Sequence, residues 1–461
     1  MRYLVVMLGL GVWDVAAQGQ SIDIGDRREL FVDRFLIETM DETLSLQVQQ
    51  PSPQEVVLTT DQPWEGNTCA YYTIFQDGDL YRMYYRGSHG DLESQKSLHP
   101  EVTCYAESRD GIHWSKPSLG MYEFDGSKEN NIVWDGIGTH CFTPFMDANP
   151  NCAPEAKYKA ISRGRPLGKK GLYVYQSPDG IHWSMIKDEP VITEGAFDSQ
   201  NLAFWNPHTK QYVDFHRTFT DGVRSIMTST SDDFVNWSQP ELLRYPVAPN
   251  QHLYTNAIRS YFRAPHLLIG FPTRYLPENS QVEPVFMSSR DGVTFHRFND
   301  PVIPRDAPQD REGNRSNYMT NGLVEIPSEP GQMSVYATEA YYVGPDSRVR
   351  RFSYRTDGFV ALHAGEVQGE LVTKPLSISG RQLVLNYVAR EGGSVKVELQ
   401  EASGKPIDGH ALQDCEPLTG DAISQAVQWK ESSAIEPAGR PVRIHFVVQN
   451  ADVFSLQFRN D

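Results

Sequence analysis

A chain of 461 residues with 59 acidic and 42 basic side chains carries a formal net charge of −17. An acidic surface of this kind repels phosphate backbones and anionic membranes, which excludes nucleic acid as the expected partner and leaves neutral or cationic ligands, with local basic patches free to take sulfated or uronic sugars. The length allows two or three domains and a large core.

In chain order, Arg2, the apolar run from Leu4 to Trp13 and the small residues Val15-Ala16-Ala17 form a positive, apolar and cleavable leader. Residues 1–17 are therefore expected to be a signal peptide cut after Ala17, giving a secreted or periplasmic protein. No later stretch is apolar enough for a membrane helix, so no membrane insertion is expected. Five cysteines (Cys69, Cys104, Cys141, Cys152 and Cys415) are too few and odd in number for a disulfide framework. Buried free thiols are the expectation. No CxxC or HxxxH spacing suggests a zinc site.

Short β-branched and aromatic runs then follow one another: Tyr71–Phe75, Leu80–Tyr85, Leu172–Tyr175, Tyr212–Phe215, Leu267–Phe271, Val285–Ser288 and Ser334–Thr338. They are bounded by Gly, Pro, Asn or Asp and read as strands. Between them a motif repeats. Ser108-Arg-Asp-Gly-Ile-His-Trp114 returns as Ser177-Pro-Asp-Gly-Ile-His-Trp183 and Ser289-Arg-Asp-Gly-Val-Thr-Phe295, and more weakly as Ser231-Asp-Asp-Phe-Val-Asn-Trp237 and Thr356-Asp-Gly-Phe359. The aspartates fall at 110, 179, 233, 291 and 357. Asp-Gly between apolar runs marks a tight hairpin, so each copy is a structural turn rather than a binding site. Five intervals of about four strands predict a five-bladed β-propeller over residues 18–365.

Past Phe359 the repeat stops. Leu383, Leu385 and Tyr387, then Val395, Val397 and Leu399, then Val442, Ile444, Phe446 and Val448 alternate with polar residues. That pattern predicts a separate β-sandwich over residues 366–461. The expected fold class is all-β: a propeller followed by a sandwich.

The repeated Ser-x-Asp-Gly-x-x-aromatic turns, the five intervals and the trailing sandwich resemble the five-bladed glycoside hydrolase superfamily, which includes families 32 and 43, and in particular its secreted bacterial branch. The turn is also close to the sialidase Asp box, with Gly one residue early. The resemblance implies a carbohydrate substrate and an axial pocket. The Trp-Met-Asn-Asp-Pro-Asn, Arg-Asp-Pro and Glu-Cys motifs of family 32 do not occur, so the fructosidase active site does not carry over.

Glycoside cleavage needs two carboxyl groups flanking the bond, one protonating the leaving oxygen and the other attacking or activating water. Acids just ahead of each leading strand are therefore the candidates. Glu65, in Pro63-Trp64-Glu65-Gly66-Asn67, is a base or nucleophile beside Trp64, a platform for a sugar ring; otherwise it caps a loop. Asp198, followed by Asn201, is a stabiliser or second acid, or else an Asx-turn residue. Glu312 and Arg315 lie in a polar loop that either meets the glycoside or is simply solvated.

His140, His252, Tyr254 and Asn256 open blades without a leading acid and are expected to hydrogen-bond substrate. Glu339, within an apolar run, must reach the pocket or pair with an arginine such as Arg274. No cofactor is expected; an axial calcium ion and the oligomeric state are left open. The function expected is a secreted glycoside hydrolase acting on a poly- or oligosaccharide through paired axial carboxylates. The alternative is a carbohydrate-binding propeller without catalysis.

Overall fold

The computed structural model describes residues 21–460 apart from 92, 95, 304–316, 431–433 and 436–438. The expected leader at 1–17, and with it Glu312 and Arg315, lie outside the described residues. Apart from 3-10 turns at Thr139–Cys141 and Pro154–Ala156, every regular element among the described residues is a strand, so the all-β expectation holds. No helix among them is long and apolar enough to cross a membrane.

A nine-stranded sheet is made of two antiparallel runs joined at their leading strands by a parallel bridge between Asn321 and Thr73. One run is Ala70–Asp77, Leu80–Gly87 and Val102–Ser108 with short outer strands. The other is Tyr318–Glu325, Gln332–Glu339 and Arg348–Arg355, completed by Ser52–Thr59 from the beginning of the chain. Between them in sequence come four strands from Thr143–Met146 to Ser184–Met185, four from Leu202–Asn206 to Glu241–Leu242, and a six-stranded sheet from Leu253–Thr255 to Phe295–Pro301. Inner strands such as Leu80–Gly87 are buried along most of their length. Each is covered on both faces, which is why they read as continuous apolar runs instead of alternating ones.

The repeated motif forms the same turn four times. In the first copy Ser108 Oγ accepts from the Gly111 amide at 2.9 Å. Asp110 Oδ1 accepts from the amides of Ile112 and His113 at 2.9 and 2.8 Å, and Trp114 Nε1 donates to Gly111 O at 3.1 Å. The copies at Ser177 and Ser231 repeat this set, and the copy at Ser289 repeats it without the indole.

Three of these turns are also hydrogen-bonded to a neighbouring sheet. Tyr336 Oη donates to Gly111 O at 2.8 Å, Tyr84 Oη donates to Gly180 O at 2.9 Å, and Arg244 exchanges backbone bonds with Val293 and Phe295. The copy at 357 differs. Asp357 does not cap its own turn; it is fully buried and accepts from Arg28, Arg263, Tyr261 and Ser455 at 2.5–3.0 Å.

A ten-stranded sheet occupies the rest of the molecule. Its longest strands, Gln382–Glu401 and Val442–Arg459, pair along most of their length and bury Leu383, Leu385, Val395, Val397, Leu399, Ile444, Phe446 and Val448 in one core. The boundary expected at 365/366 does not isolate this unit. Ile22–Gly25 runs parallel to Leu376–Ile378, Arg28–Leu30 pairs with Val442–Arg459, Ile37–Met40 with Gly369–Thr373, and Leu44–Val48 with Val360–Ala364. Strands of three to five residues give too little alternation to reveal a face, and their partners stand more than 300 residues away.

All five cysteines are unpaired, and four of them are buried. Glu339 is buried and pairs with Arg350; Arg274, the partner suggested by sequence, pairs with Glu283.

Candidate functional site

The leading ends of the strands converge around Tyr71, Gln200, Tyr254 and Tyr318. Above them opens a cleft of about 820 Å³, walled by Tyr71, Tyr254, Tyr341 and Tyr342 together with Arg86, Glu101, His140 and Asp198. Its volume is that of a small-ligand site.

A row of three side chains crosses this cleft. Glu101 Oε2 lies 2.8 Å from His140 Nδ1, and His140 Nε2 lies 2.8 Å from Asp198 Oδ1. Arg163 Nη1 approaches Asp198 Oδ1 to 2.6 Å, and Arg86 Nη1 stands 3.5 Å from Glu101 Oε1. Burial pushes the Glu101 carboxyl up, but the His140 hydrogen bond and the Arg86 charge outweigh it and bring the pKa to about 2. The His140 hydrogen bond, opposed by burial and helped by Arg163, holds Asp198 well below the usual carboxylate range. An ionised carboxylate only accepts, so each contact sets an acceptor against one nitrogen of the imidazole. The row therefore holds one imidazole between two carboxylates, within hydrogen-bond reach of both.

Local backbone places these groups. His140 sits in the 3-10 turn, whose preceding Gly138 has φ 99° and donates its amide to Arg165 O at 2.9 Å. A side chain at 138 would strike the Tyr175 hydroxyl. Asp198 is held by the turn that Asn201 ties, donating to Phe197 O at 2.9 Å and Ser199 O at 3.0 Å. Tyr71 has φ 59° beside an irregularity between Ala70 and Thr73, which turns its ring 5.6 Å from His140 and 4.8 Å from the Arg86 guanidinium. Ala340 and Tyr342, on either side of Tyr341, are left-handed as well. Non-glycine residues in that region are strained, and strain of this kind collects at ligand sites.

The structure gathers some of the residues picked out by sequence and separates others. Asp198, His140 and Tyr254 line the cleft. Glu65 does not. It is fully buried, with Oε2 2.6 Å from Lys116 Nζ and Oε1 accepting from Tyr85 Oη at 2.5 Å. The cation and the hydroxyl draw its carboxyl inside the sheet, so it serves as a structural ion pair rather than a partner of Asp198. Burial raises its proton affinity against the pull of Lys116.

Trp64 is no platform, because Nε1 is bound to Asn131 Oδ1 at 2.6 Å and its ring packs on the core beneath. Asn201 and Asn256 are buried and bonded to backbone carbonyls. Arg274 is held within its own sheet by Glu283 and Gln251, and His252 accepts from the Arg224 amide of the preceding sheet at 3.2 Å, so both serve packing. Glu101 was not found by the positional argument, since it precedes the third strand of its run rather than the leading one. Arg86 and Arg163 lie within strands, where sequence alone gives no direction to a side chain. Among the described residues no group of three or more His, Cys, Asp or Glu is arranged to hold a metal ion.

No family model matches the chain. Uncharacterised proteins from two strains of Mycobacterium tuberculosis are 29% identical over 145 residues, which is 30% of this chain and 41% of theirs, so the match spans less than half of those relatives. Among solved structures, a thermostable family-43 glycoside hydrolase is similar at 13% identity and a TM-score of 0.47, covering 67% of this chain and 95% of that one. A β-1,2-mannobiose phosphorylase from Listeria innocua in complex with β-1,2-mannobiose matches at 11% and 0.47, over 68% and 97%. An N-acetylgalactosamine deacetylase from F. plautii in complex with blood group B trisaccharide matches at 12% and 0.45, over 69% and 97%.

Proposed function

We propose that this protein is a carbohydrate-processing enzyme that cleaves glycosidic bonds in the tyrosine-walled cleft, with Glu101 and Asp198 as its carboxyl pair and His140 as the proton store between them. The observation that carries it is the Glu101–His140–Asp198 row, open to a cleft of ligand size. With this goes the finer architectural reading: five propeller blades around the cleft, the ten-stranded sheet as a sandwich-like companion, and export directed by residues 1–17.

Aromatic walls suit the apolar faces of sugar rings, while Arg86 brings a guanidinium to the same cleft for hydroxyl groups. A sugar covering the row removes water, and an ion pair in a drier site costs more than its neutral form. The His140 proton can then pass over 2.8 Å to whichever carboxylate faces the leaving oxygen, while the other activates water. A whole imidazole with a hydrogen bond at each end separates the two carboxyl groups. The ring fills the gap between them, so the water to be activated would stand on the cleft side of one carboxylate.

The test is a panel of plant and algal oligosaccharides assayed with wild type, Asp198→Asn and Glu101→Gln. Each amide variant is expected to lower turnover by ~10²–10⁴-fold while sugar binding persists. Equal turnover in all three would reject the assignment. A second reading, carbohydrate binding without catalysis, is favoured by the strongly ionised state of both carboxylates; binding by wild type with no turnover on any sugar would establish it.

A further inference from the structure

Asp198 has a second face. Behind it lies a hollow of about 360 Å³ whose wall carries Arg163, Arg165, Lys169, Lys170 and Arg217. Asp198 is the sole carboxylate among the described residues on that wall, and Arg163 already neutralises it at 2.6 Å. In a chain of net charge −17, five cations around one hollow form a local field opposite in sign to the whole molecule, and concave walls focus such a field.

We infer that this hollow is the subsite for an anionic substituent, a carboxylate or a sulfate ester, on the saccharide that occupies the cleft. The inference rests on the cleft being a saccharide site, as proposed above.

The cations are placed for a ligand rather than consumed by the fold. The side chains of Arg165 and Lys170 make no hydrogen bond or ion pair among the described residues and are exposed at the mouth. Lys169 meets Glu189 at 2.7 Å, but both side chains are more than half exposed, and a pair in that setting holds its cation weakly. Arg217 is buried; its Nε donates to Ala196 O at 2.8 Å, and its terminal nitrogens have no hydrogen bond among the described residues. Its guanidinium lies 5.3 Å from the ring of Tyr254, a wall residue of the cleft, so one side chain links the two spaces.

The loop that carries the cations is fixed in advance. Gly164 donates to Gly171 O at 3.0 Å, Gly168 to Gly164 O at 2.7 Å, and the Lys169 amide to Tyr173 Oη at 2.9 Å. Planar guanidinium groups held in place recognise planar or tetrahedral oxyanions through paired bonds. A sugar whose ring lies in the cleft and whose acidic group passes Asp198 would meet them without loop rearrangement.

Titration calorimetry of wild type, Asp198→Asn and the double variant Arg165→Ala/Lys170→Ala against oligogalacturonides, sulfated galactan oligomers and uncharged galactan oligomers of equal length tests this. Wild type is expected to bind at least one acidic series ~tenfold or more tightly than the uncharged one. The double variant should lose that preference while keeping its affinity for uncharged oligomers. A preference for oligogalacturonides alone assigns a carboxylate, and one for the sulfated series alone assigns a sulfate. If uncharged oligomers do not bind at all, yet acidic ones bind and weaken in the double variant, the hollow stands and the cleft assignment falls. Acidic oligomers that bind no more tightly than uncharged ones, or a preference that survives in the double variant, would overturn the inference whatever Asp198→Asn does.

Discussion

Glu65 divides its two oxygens between a lysine and a tyrosine inside the wall of a sheet, and no water reaches either. Lys116, itself 17% exposed, has its other bonds to Thr59 O at 2.6 Å and Asp61 at 3.1 Å. Removing one charge of a buried pair is costly, and Asp61, which is more than half exposed, replaces only part of what Glu65 gives Lys116. Glu65→Gln should therefore lower the urea midpoint clearly more than Glu101→Gln, whose partners Arg86 and His140 border the open cleft. Equal midpoints would mean that the Lys116 pair holds little. Nothing near position 65 in sequence reveals this role, because Lys116 is 51 residues away. Asp198 and His140 differ: each stands just ahead of the leading strand of its own sheet, and both line the cleft. Glu101 needed the coordinates, since it reaches the same histidine from a different strand end.

The turn motif is where sequence and structure agree in most detail, because all its bonds close within seven residues. Gly180 shows what the glycine contributes. It has φ 79°, and a Cβ there would meet the Tyr84 hydroxyl at 2.7 Å. Gly222 has φ 80° with open space around it. Gly222→Ala should therefore lose ~1 kcal/mol from backbone strain alone, and Gly180→Ala ~2 kcal/mol or more, because the bond from Tyr84 must also shift. Thermal unfolding of the two variants decides it; losses of equal size would show that Tyr84 does not staple this turn to the sheet before it. The third copy keeps the turn with Phe234 at the glycine position, at φ 68°. There the ring packs on Phe145 and Tyr212, and burial compensates for the strain.

Asp357 ties distant parts of the molecule together. Arg28 comes from a strand near the chain start, Arg263 from the six-stranded sheet and Ser455 from the last strand, and all three meet one buried carboxylate. Asp357→Asn leaves two guanidinium groups facing an amide and should cost about 3 kcal/mol. Because the loss falls where the ten-stranded sheet meets the rest, the calorimetric transition of the variant is expected to be broader than that of wild type, or split. An unchanged, single transition would show that apolar packing alone couples the two. The fold class was legible because strand period and turn chemistry are local; the division into parts was not, because it depends on pairings that span the chain.

Those pairings impose an order in time. Residues 22–48 are made well before the strands they pair with, which begin at Val360, and Arg28–Leu30 waits for Ser455. Until then these strands have exposed edges and no partner, while Ser52–Thr59 waits for Arg348–Arg355 to complete its own sheet. Contacts of such sequence separation are slow to form. The strands from Ile22 to Val48 therefore lack their partners through nearly the whole of synthesis, and the sheets they join can close only once the last strands exist.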